Sequence, residues 1–308
     1  MRFNKLDLNL LVALDHLLNL RSVSATAERM NMTQSAMSNA LLRLRDYFRD
    51  DLLVKIGRRM ELTPRAEALK DAVRDVLVRV EWTIATRADF DPTQSDRQFN
   101  ILVSDYTLAT LAPKILALCR ERRSSVRFNF LHQVNGPERL LERGDVDLLI
   151  IPKEFCSRQH PFEVVLEEEF CAIVWSGGRF ANARLTRRAF ADASHVVMRT
   201  PDGAQSLESV FFKQHDLIRR VDVATYNFTT IPLLVVGTDR IATVHRKLAE
   251  QAAQALPIRI RELPYRLPKM QQTVQWHKQR SQDAGMIWLR NVIHEAASQE
   301  YAGLHRRT

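Results

Sequence analysis

Three kinds of feature are scarce in this sequence, and each absence removes a class of protein. Cysteine occurs three times in 308 residues, as Cys119, Cys156 and Cys171, widely spaced and with no C-x-x-C pair. That usage argues against a disulfide framework or a structural zinc site and fits a reducing compartment. Buried or idle thiols outweigh a redox-sensing pair as their role. Glycine is nearly as rare, at nine residues, so regular structure with few long flexible loops is expected. No apolar run approaches the roughly 20 residues that span a bilayer. The first 20 residues carry Asp7 and Asp15 inside their apolar periodicity and have no small-residue cleavage site, so no secretory signal fits. A cytoplasmic chain without membrane association is expected. Nucleotide-binding and hydrolytic signatures are missing too: there is no G-x-G-x-x-G, Walker loop, G-x-S-x-G or H-E-x-x-H. The nine histidines are scattered, and Ser176-Gly177-Gly178 is a turn without matching context. The chain reads as a non-enzyme with no metal and no cofactor.

What is present is an ordinary globular composition, 45% hydrophobic and 26% charged, with room for one large domain or two to three smaller ones. A net charge of +9 favours a polyanionic partner. Residues 1–65 set eleven Lys and Arg against seven Asp and Glu. The placement of that excess matters more than its size.

The chain is organised around Ser22 to Leu44. Val23, Ala27 and Met30 fall at helical spacing, with Ser22 or Ser24 as a cap. Asn31-Met32-Thr33 interrupts the pattern, and Thr33 caps a second helix that buries Ala36, Met37, Ala40, Leu41 and Leu44. The opposite face presents Gln34, Ser35, Ser38, Asn39 and Arg43. Gln and Asn pair a donor with an acceptor in the manner that matches adenine, Ser serves several bases, and Arg reaches guanine or phosphate. Small Ala27 allows the close helix approach of a helix-turn-helix. These residues alone leave an ordinary helical hairpin equally open.

The next stretch shifts the balance. Leu52 to Ile56 and Met60 to Leu62 read as two short strands around Gly57-Arg58-Arg59. A hairpin tipped by Arg58 and Arg59 suits a wing that reaches a minor groove, where narrow A·T tracts attract arginine. Before these elements, Leu6 to Leu20 is an amphipathic supporting helix with Leu6, Leu10, Ala13, Leu14, Leu17 and Leu18 on one stripe. After them, Thr63-Pro64 starts a helix running to about Ala85. Leu69, Val73, Val76 and Val80 form an a/d seam that calls for a partner helix, with packing on its own domain as the alternative.

Taken together, Leu6-Asp7-Leu8-Asn9-Leu10-Leu11, Val23-Ser24-Ala25-Thr26-Ala27-Glu28, Thr33-Gln34-Ser35-Ala36-Met37-Ser38 and Leu62-Thr63-Pro64 resemble the amino-terminal signature of LysR-type transcriptional regulators. Many members carry Arg where this chain has Asn39. The resemblance implies DNA binding through Ser24, Thr33, Gln34, Ser35, Ser38, Asn39, Arg43, Arg58 and Arg59, and dimerisation through the linker helix. It also implies a homodimer or homotetramer on double-stranded promoter DNA, with RNA polymerase as a partner.

Ala88 to Arg97 is a polar connector, beyond which the grammar becomes β-α-β-α-β: Phe99–Ser104, Tyr106–Arg122, Val126–Leu131, Pro137–Arg143 and Val146–Ile151. Leu140-Leu141-x-x-Gly144-Asp145-Val146-Asp147-Leu148 also resembles the LysR effector domain. The expected fold class is α/β with an N-terminal all-α winged helix-turn-helix, a linker helix and a two-lobed effector domain like a periplasmic binding protein. The expected domains are 1–63 for DNA binding, 64–87 for the linker, 93–152 with 267–308 for lobe 1, and 153–266 for lobe 2.

Ligands of open α/β sheets bind beyond the carboxyl ends of strands. There, Ser104, Asp105, Tyr106 and Thr107 begin a helix whose free amides suit a carboxylate or phenolate, although simple capping explains them as well. Opposite lie Phe228 and Thr229, the turn at Pro201 and Asp202, and Trp276-His277 from the returning strand. An aromatic pocket with a few polar groups suits a planar phenolic ligand. Arg2-Phe3 with Leu6 to Asp15, Ala88-x-Phe90-Asp91-Pro92 with Ser95-Asp96-Arg97, and Ile241 to Arg246 resemble the nodulation and aromatic-degradation regulators of the family. That likeness implies an aromatic or flavonoid-like inducer and an activator. A solute-binding module for an aromatic ligand is the alternative; it would need export and no reading head, and residues 22–59 oppose it.

Overall fold

A computed structural model describes residues 6–57, 59–85, 89–199, 206–217 and 219–303. They divide into two units, one ending with the long linker helix and one holding the α/β part.

The first unit opens with α1 (Leu8–Leu20), α2 (Val23–Arg29) and α3 (Gln34–Phe48), followed by β1 (Leu53–Ile56), β2 (Arg59–Leu62) and α4 (Pro64–Ala85). Each early helix has a local start signal. Asp7 accepts from Leu10 N at 2.9 Å, Ser22 from Ala25 N at 3.2 Å and Thr33 from Ala36 N at 3.2 Å. Such caps satisfy amides that have no partner inside the helix, worth about 1 kcal/mol each. Asn31, at φ 52°, makes the tight turn between α2 and α3. Leu10, Leu14, Leu17 and Leu18 of α1 then close on Ala27, Met37, Leu41 and Leu44 in one core.

The hairpin pairs Ile56 with Arg59, and Gly57 at φ 63° supplies the left-handed turn that L side chains disfavour. Arg45 braces the hairpin's entry by donating to the carbonyls of Asp51 and Leu53, both at 2.8 Å. At its exit the Thr63 hydroxyl donates to Asp50 at 2.5 Å and accepts from Ala66 N at 3.0 Å. That hydrogen bond holds the Asp50 carboxyl below its usual range.

The seam expected on α4 divides. Leu69 and Val73 join the core of the reading head, together with Ala66 and Leu77, whereas Val76 stays 46% exposed and Val80 half-buried. Residues 66, 69, 73 and 77 follow steps of three and four and so share one face, whereas Val76 is turned about 60° around the helix from Val73.

The second unit begins with β3 (Gln98–Val103), α5 (Asp105–Thr110), α6 (Ala112–Glu121), β4 (Arg127–His132), α7 (Glu138–Glu142) and β5 (Leu148–Pro152). The single helix expected from Tyr106 to Arg122 breaks at Leu111, with Pro113 in the first turn of α6, where its missing N–H costs nothing. Next come β6 (Phe162–Glu168), β7 (Phe170–Trp175), α8 (Arg187–Asp192), β8 (Ser194–Met198), α9 (Leu207–Gln214) and β9 (Arg220–Thr225). The chain finishes with α10 (Ile231–Val235), β10 (Ile241–His245), α11 (Arg246–Ala253), β11 (Ile258–Arg261), β12 (Met270–Trp276) and α12 (Ala284–Gly303).

Two five-stranded sheets result, ordered β4-β3-β5-β12-β6 and β11-β7-β10-β8-β9. The chain crosses between them after β6 and again after β11. This corrects the expected boundary, because residues 162–168 belong to the first sheet rather than to a second lobe starting at 153. The returning β12 lies between β5 and β6, antiparallel to both. Polar letters disguise that strand: Gln272, Thr273 and Gln275 are buried, with Gln275 donating to the carbonyl of Ser157 at 2.8 Å. The first sheet's core joins Phe99, Ile101 and Ile115 to Met286, Leu289 and Ile293 of α12. Below it, Arg97 grips Asp283 with two bonds of 2.7 Å. Burial alone would raise the Asp283 carboxyl, but the Arg97 hydrogen bond and the charges of Arg280 and Arg97 outweigh it and hold it at about 2.

Candidate functional site

The candidate reading surface is built on α3. Met37, Ala40, Leu41 and Leu44 face the core, which turns Gln34, Ser35, Ser38, Asn39 and Arg43 outward, all exposed. Thr33, the cap, is exposed beside them, with its hydroxyl 3.1 Å from that of Ser35. Ala36 is also exposed, against the expectation that it is buried. The spacing explains this: 36, 39 and 43 differ by three and four, so Ala36 shares the face of Asn39 and Arg43. A small apolar side chain among polar ones suits a thymine methyl, and that spacing was the signal that reveals it. Ser24 is exposed at the start of α2, 3.2 Å from the hydroxyl of Ser22.

Arg43 lies 3.4 Å from Asp7, with both side chains more than half exposed (53% and 54%). An ion pair of this kind is worth about 0–1 kcal/mol, so it positions the guanidinium without sequestering it. Arg59 is exposed at the start of β2. Arg58 lies outside the described residues.

The second candidate site is the junction of the two sheets. Ser104 caps α5, accepting from Thr107 N at 3.1 Å, and its hydroxyl lies 3.0 Å from that of Thr107. Asp105 is therefore released from capping, and its carboxylate reaches the second lobe to accept from Thr229 N at 2.8 Å. The buried Tyr106 hydroxyl donates to Glu168, at the first crossing, while its ring stacks on His245 at 4.0 Å between centroids and 17° between planes. Phe170 and Phe228 close around the same imidazole at 5.0 and 4.9 Å. Thr107 accepts from Gln272 Nε2 at 3.2 Å.

The electrostatics of this junction follow from burial. Burial pushes the Glu168 carboxyl up, opposed by the Tyr106 hydrogen bond and the charge of Lys247. His245 is pulled down to about 3 by burial alone, so it is neutral, and its Nδ1 has no hydrogen-bond partner among the described residues. The junction thus presents neutral rings and hydroxyls, with the Glu168 carboxyl buried inside and the Asp105 carboxylate bonded across it.

The structure brings Ser104, Asp105, Tyr106, Thr107, Phe228 and Thr229 to one place. It does not bring Trp276 and His277 there. Trp276 pairs with Leu148, which in turn pairs with Ile101, so it sits three residues back along the sheet from Ser104. It is buried in the first lobe's core under Arg290, and His277 packs on His160 at 4.7 Å. The strand starts four residues earlier than its apolar letters suggest, so Gln272 occupies the position assigned to Trp276. Pro201 and Asp202 lie outside the described residues. Sequence reasoning missed Glu168, His245 and Gln272; only a knowledge of strand order would have found them.

Burial keeps two thiols protonated, Cys119 at about 11 and Cys171 at about 12, and also raises that of Cys156, which lies 3.0 Å from the Thr273 hydroxyl. Among the described residues no helix is long and apolar enough to cross a membrane.

Comparison with known proteins agrees with this architecture. Residues 8–67 match the model of bacterial regulatory helix-turn-helix proteins of the lysR family, and residues 92–298 match the LysR substrate binding domain. Nodulation protein D 1 of Sinorhizobium fredii is 40% identical over 299 residues, covering 97% of this chain and 93% of that protein. Nodulation protein D 1 of Bradyrhizobium japonicum shows the same identity and coverage. Among solved structures, a probable transcriptional regulator from Pseudomonas aeruginosa aligns with a TM-score of 0.65 at 24% identity, covering 94% of this chain and 97% of that one. Full-length OxyR from the same organism aligns at 0.67 and 14% identity, covering 93% and 94%, which bears on the fold alone. With a family reading head at one end and a family effector domain behind it, the chain belongs to the LysR family and is a DNA-binding transcriptional regulator.

Proposed function

We propose that this regulator activates transcription in response to a planar aromatic or flavonoid-like inducer. The observation that carries the reading is the junction itself, where Tyr106, Phe170 and Phe228 surround a neutral imidazole beside hydroxyls from Ser104 and Thr107. Flat rings stack there, and phenol groups find donors and acceptors. The likeness to nodulation protein D over nearly the whole chain supports the same class.

On DNA, Gln34, Ser35, Ser38 and Asn39 read the major groove, joined by Ala36. Arg43, Ser24 and Thr33 contact backbone, and Arg58 and Arg59 engage the minor groove beside the wing. Val76 and Val80, left outside the head's core, offer the seam for a second linker helix, and a groove of about 280 Å³ runs along it. A dimer or tetramer then spaces paired heads on half-sites. Inducer seated at the junction replaces contacts such as Asp105 to Thr229 and changes the angle between the lobes. That movement alters DNA bend and the contact with RNA polymerase in the cytoplasm.

The test is a gel shift with footprinting on the regions upstream of the chain's own and neighbouring genes, with a panel of phenols and flavonoids. An interrupted palindrome whose protection changes with one compound is the expected result. Binding no stronger than to random DNA, from dimeric protein at low salt, would return the chain to a ligand-binding module.

A further inference from the structure

We propose that the outer edge of the second lobe carries a separate cleft for a small organic polyanion, a molecule bearing phosphate or several carboxylates. The cleft lies between residues 184–187 and the edge strand β11 with its continuation to Pro264, and it encloses about 610 Å³. Small-molecule sites occupy about 300–1,000 Å³, so its size fits a metabolite rather than a protein surface.

Arg184, Arg187 and Arg261 line it, over an apolar wall of Leu185, Ile260 and Leu263. Residues 179–188 and 257–266 together hold seven arginines, no lysine and one acid, Glu262. An arginine-rich surface is often no more than a solvated face. Here two of the three lining guanidinium groups are held by neutral partners. Arg187 Nε donates to the carbonyl of Pro264 at 3.3 Å, and Arg261 Nη2 to that of Ala183 at 2.6 Å. Carbonyls fix the planes without cancelling the charge, which leaves forks preorganised for oxyanions. Arg184 is exposed, with no hydrogen bond or ion pair to another described residue. The one acid, Glu262, also lines the cleft, but its carboxylate is paired with Arg246 at 2.8 Å. Arg246 also faces Glu169 at 3.6 Å, beside the first crossing. An anion in the cleft is thus one ion pair away from both crossings between the lobes, which suits a second regulatory ligand.

The experiment is isothermal titration of the full-length protein at low salt with ATP and with citrate, using adenosine as the uncharged control. Saturable binding of ATP or citrate, absent for adenosine and weakened by added chloride, is expected. Preference for ATP assigns phosphate recognition, and preference for citrate assigns carboxylates. Arg184→Glu should weaken binding about tenfold or more, as loss of a charge-assisted contact implies, with an unchanged melting curve. Arg188→Glu, whose guanidinium lies outside the cleft beside Asp192 at 3.6 Å, should bind as the unaltered protein does. Operator binding without ligand should be unaffected by Arg184→Glu, which separates failure here from failure of the inducer reading. No saturable binding of either anion, equal binding by Arg184→Glu, or binding only of an acidic peptide would overturn the proposal.

Discussion

On α3 the polar side chains stand in water and, apart from the exposed Arg43–Asp7 pair, their partners lie within a few residues, as with Thr33 and Ala36. At the junction of the lobes similar side chains are enclosed, and their partners are 62, 124 and 165 residues away, as in Tyr106–Glu168, Asp105–Thr229 and Gln272–Thr107. Exposure decides the difference. A solvated Gln34 loses little by standing unpaired until a base edge arrives, whereas a buried polar group without a partner costs about 1–3 kcal/mol. The proposed DNA face therefore keeps its polar groups open to solvent, while the proposed inducer junction satisfies itself with internal contacts.

The comparison can be broken most forcefully in the enclosed part. Arg97→Ala leaves Asp283 buried beside Arg280 alone and should destabilise the effector domain by about 3–5 kcal/mol, as loss of one partner of a buried pair does. Urea unfolding measures it, and a change under about 1 kcal/mol would put the pair in the class of surface ion pairs.

Acid should act on the same side of the comparison. His195 and His245 are held neutral by burial, at about 4 and about 3, and both folded values are depressed below the ordinary imidazole. The unfolded chain takes up these protons first as pH falls, so their stability is complete above about 6.5 and is lost from there towards about 4 and about 3. Asp283, depressed to about 2, adds a further loss as pH drops from about 4. His245→Gln should flatten the melting-temperature profile below pH 6.5, and an unaltered profile would show that this imidazole does not titrate with unfolding.

The exposed face should respond in binding rather than in folding. Gln34→Ala should cost about 1–3 kcal/mol at the operator, relax base preference and leave the melting temperature alone. Equal loss on random DNA would remove Gln34 from the readers. The smallest effect belongs to Arg43→Gln, with stability changed by less than about 0.5 kcal/mol and binding weakened on every sequence, the salt slope becoming shallower by about one. A preserved slope would place Arg43 away from the phosphates.

The same division explains what could be read without coordinates. The reading head was legible because its information is local: caps at Ser22 or Ser24 and at Thr33, stripes at helical spacing, and a glycine where the hairpin turns. Ala36 was misplaced by judging a residue by polarity rather than by its helical angle, and the first helix begins at Leu8, behind the Asp7 cap, rather than at Leu6. Half of the effector site was legible for the same reason, since Ser104 to Thr107 follow a strand and start a helix. The other half depends on strand order. The position of β12 between β5 and β6 decides that Gln272 reaches Thr107 while Trp276 is carried into the core, and nothing near either residue records that neighbourhood.

The hydroxyl of Thr63 joins two pieces of the first unit, since it ties Asp50, in the turn that leads into the hairpin, to the first turn of α4. The base of the hairpin and the linker helix accordingly share one hydrogen-bonded corner. A rotation of the linker helix is therefore expected to carry the hairpin with it, which would turn a small angular change into a displacement along the DNA groove.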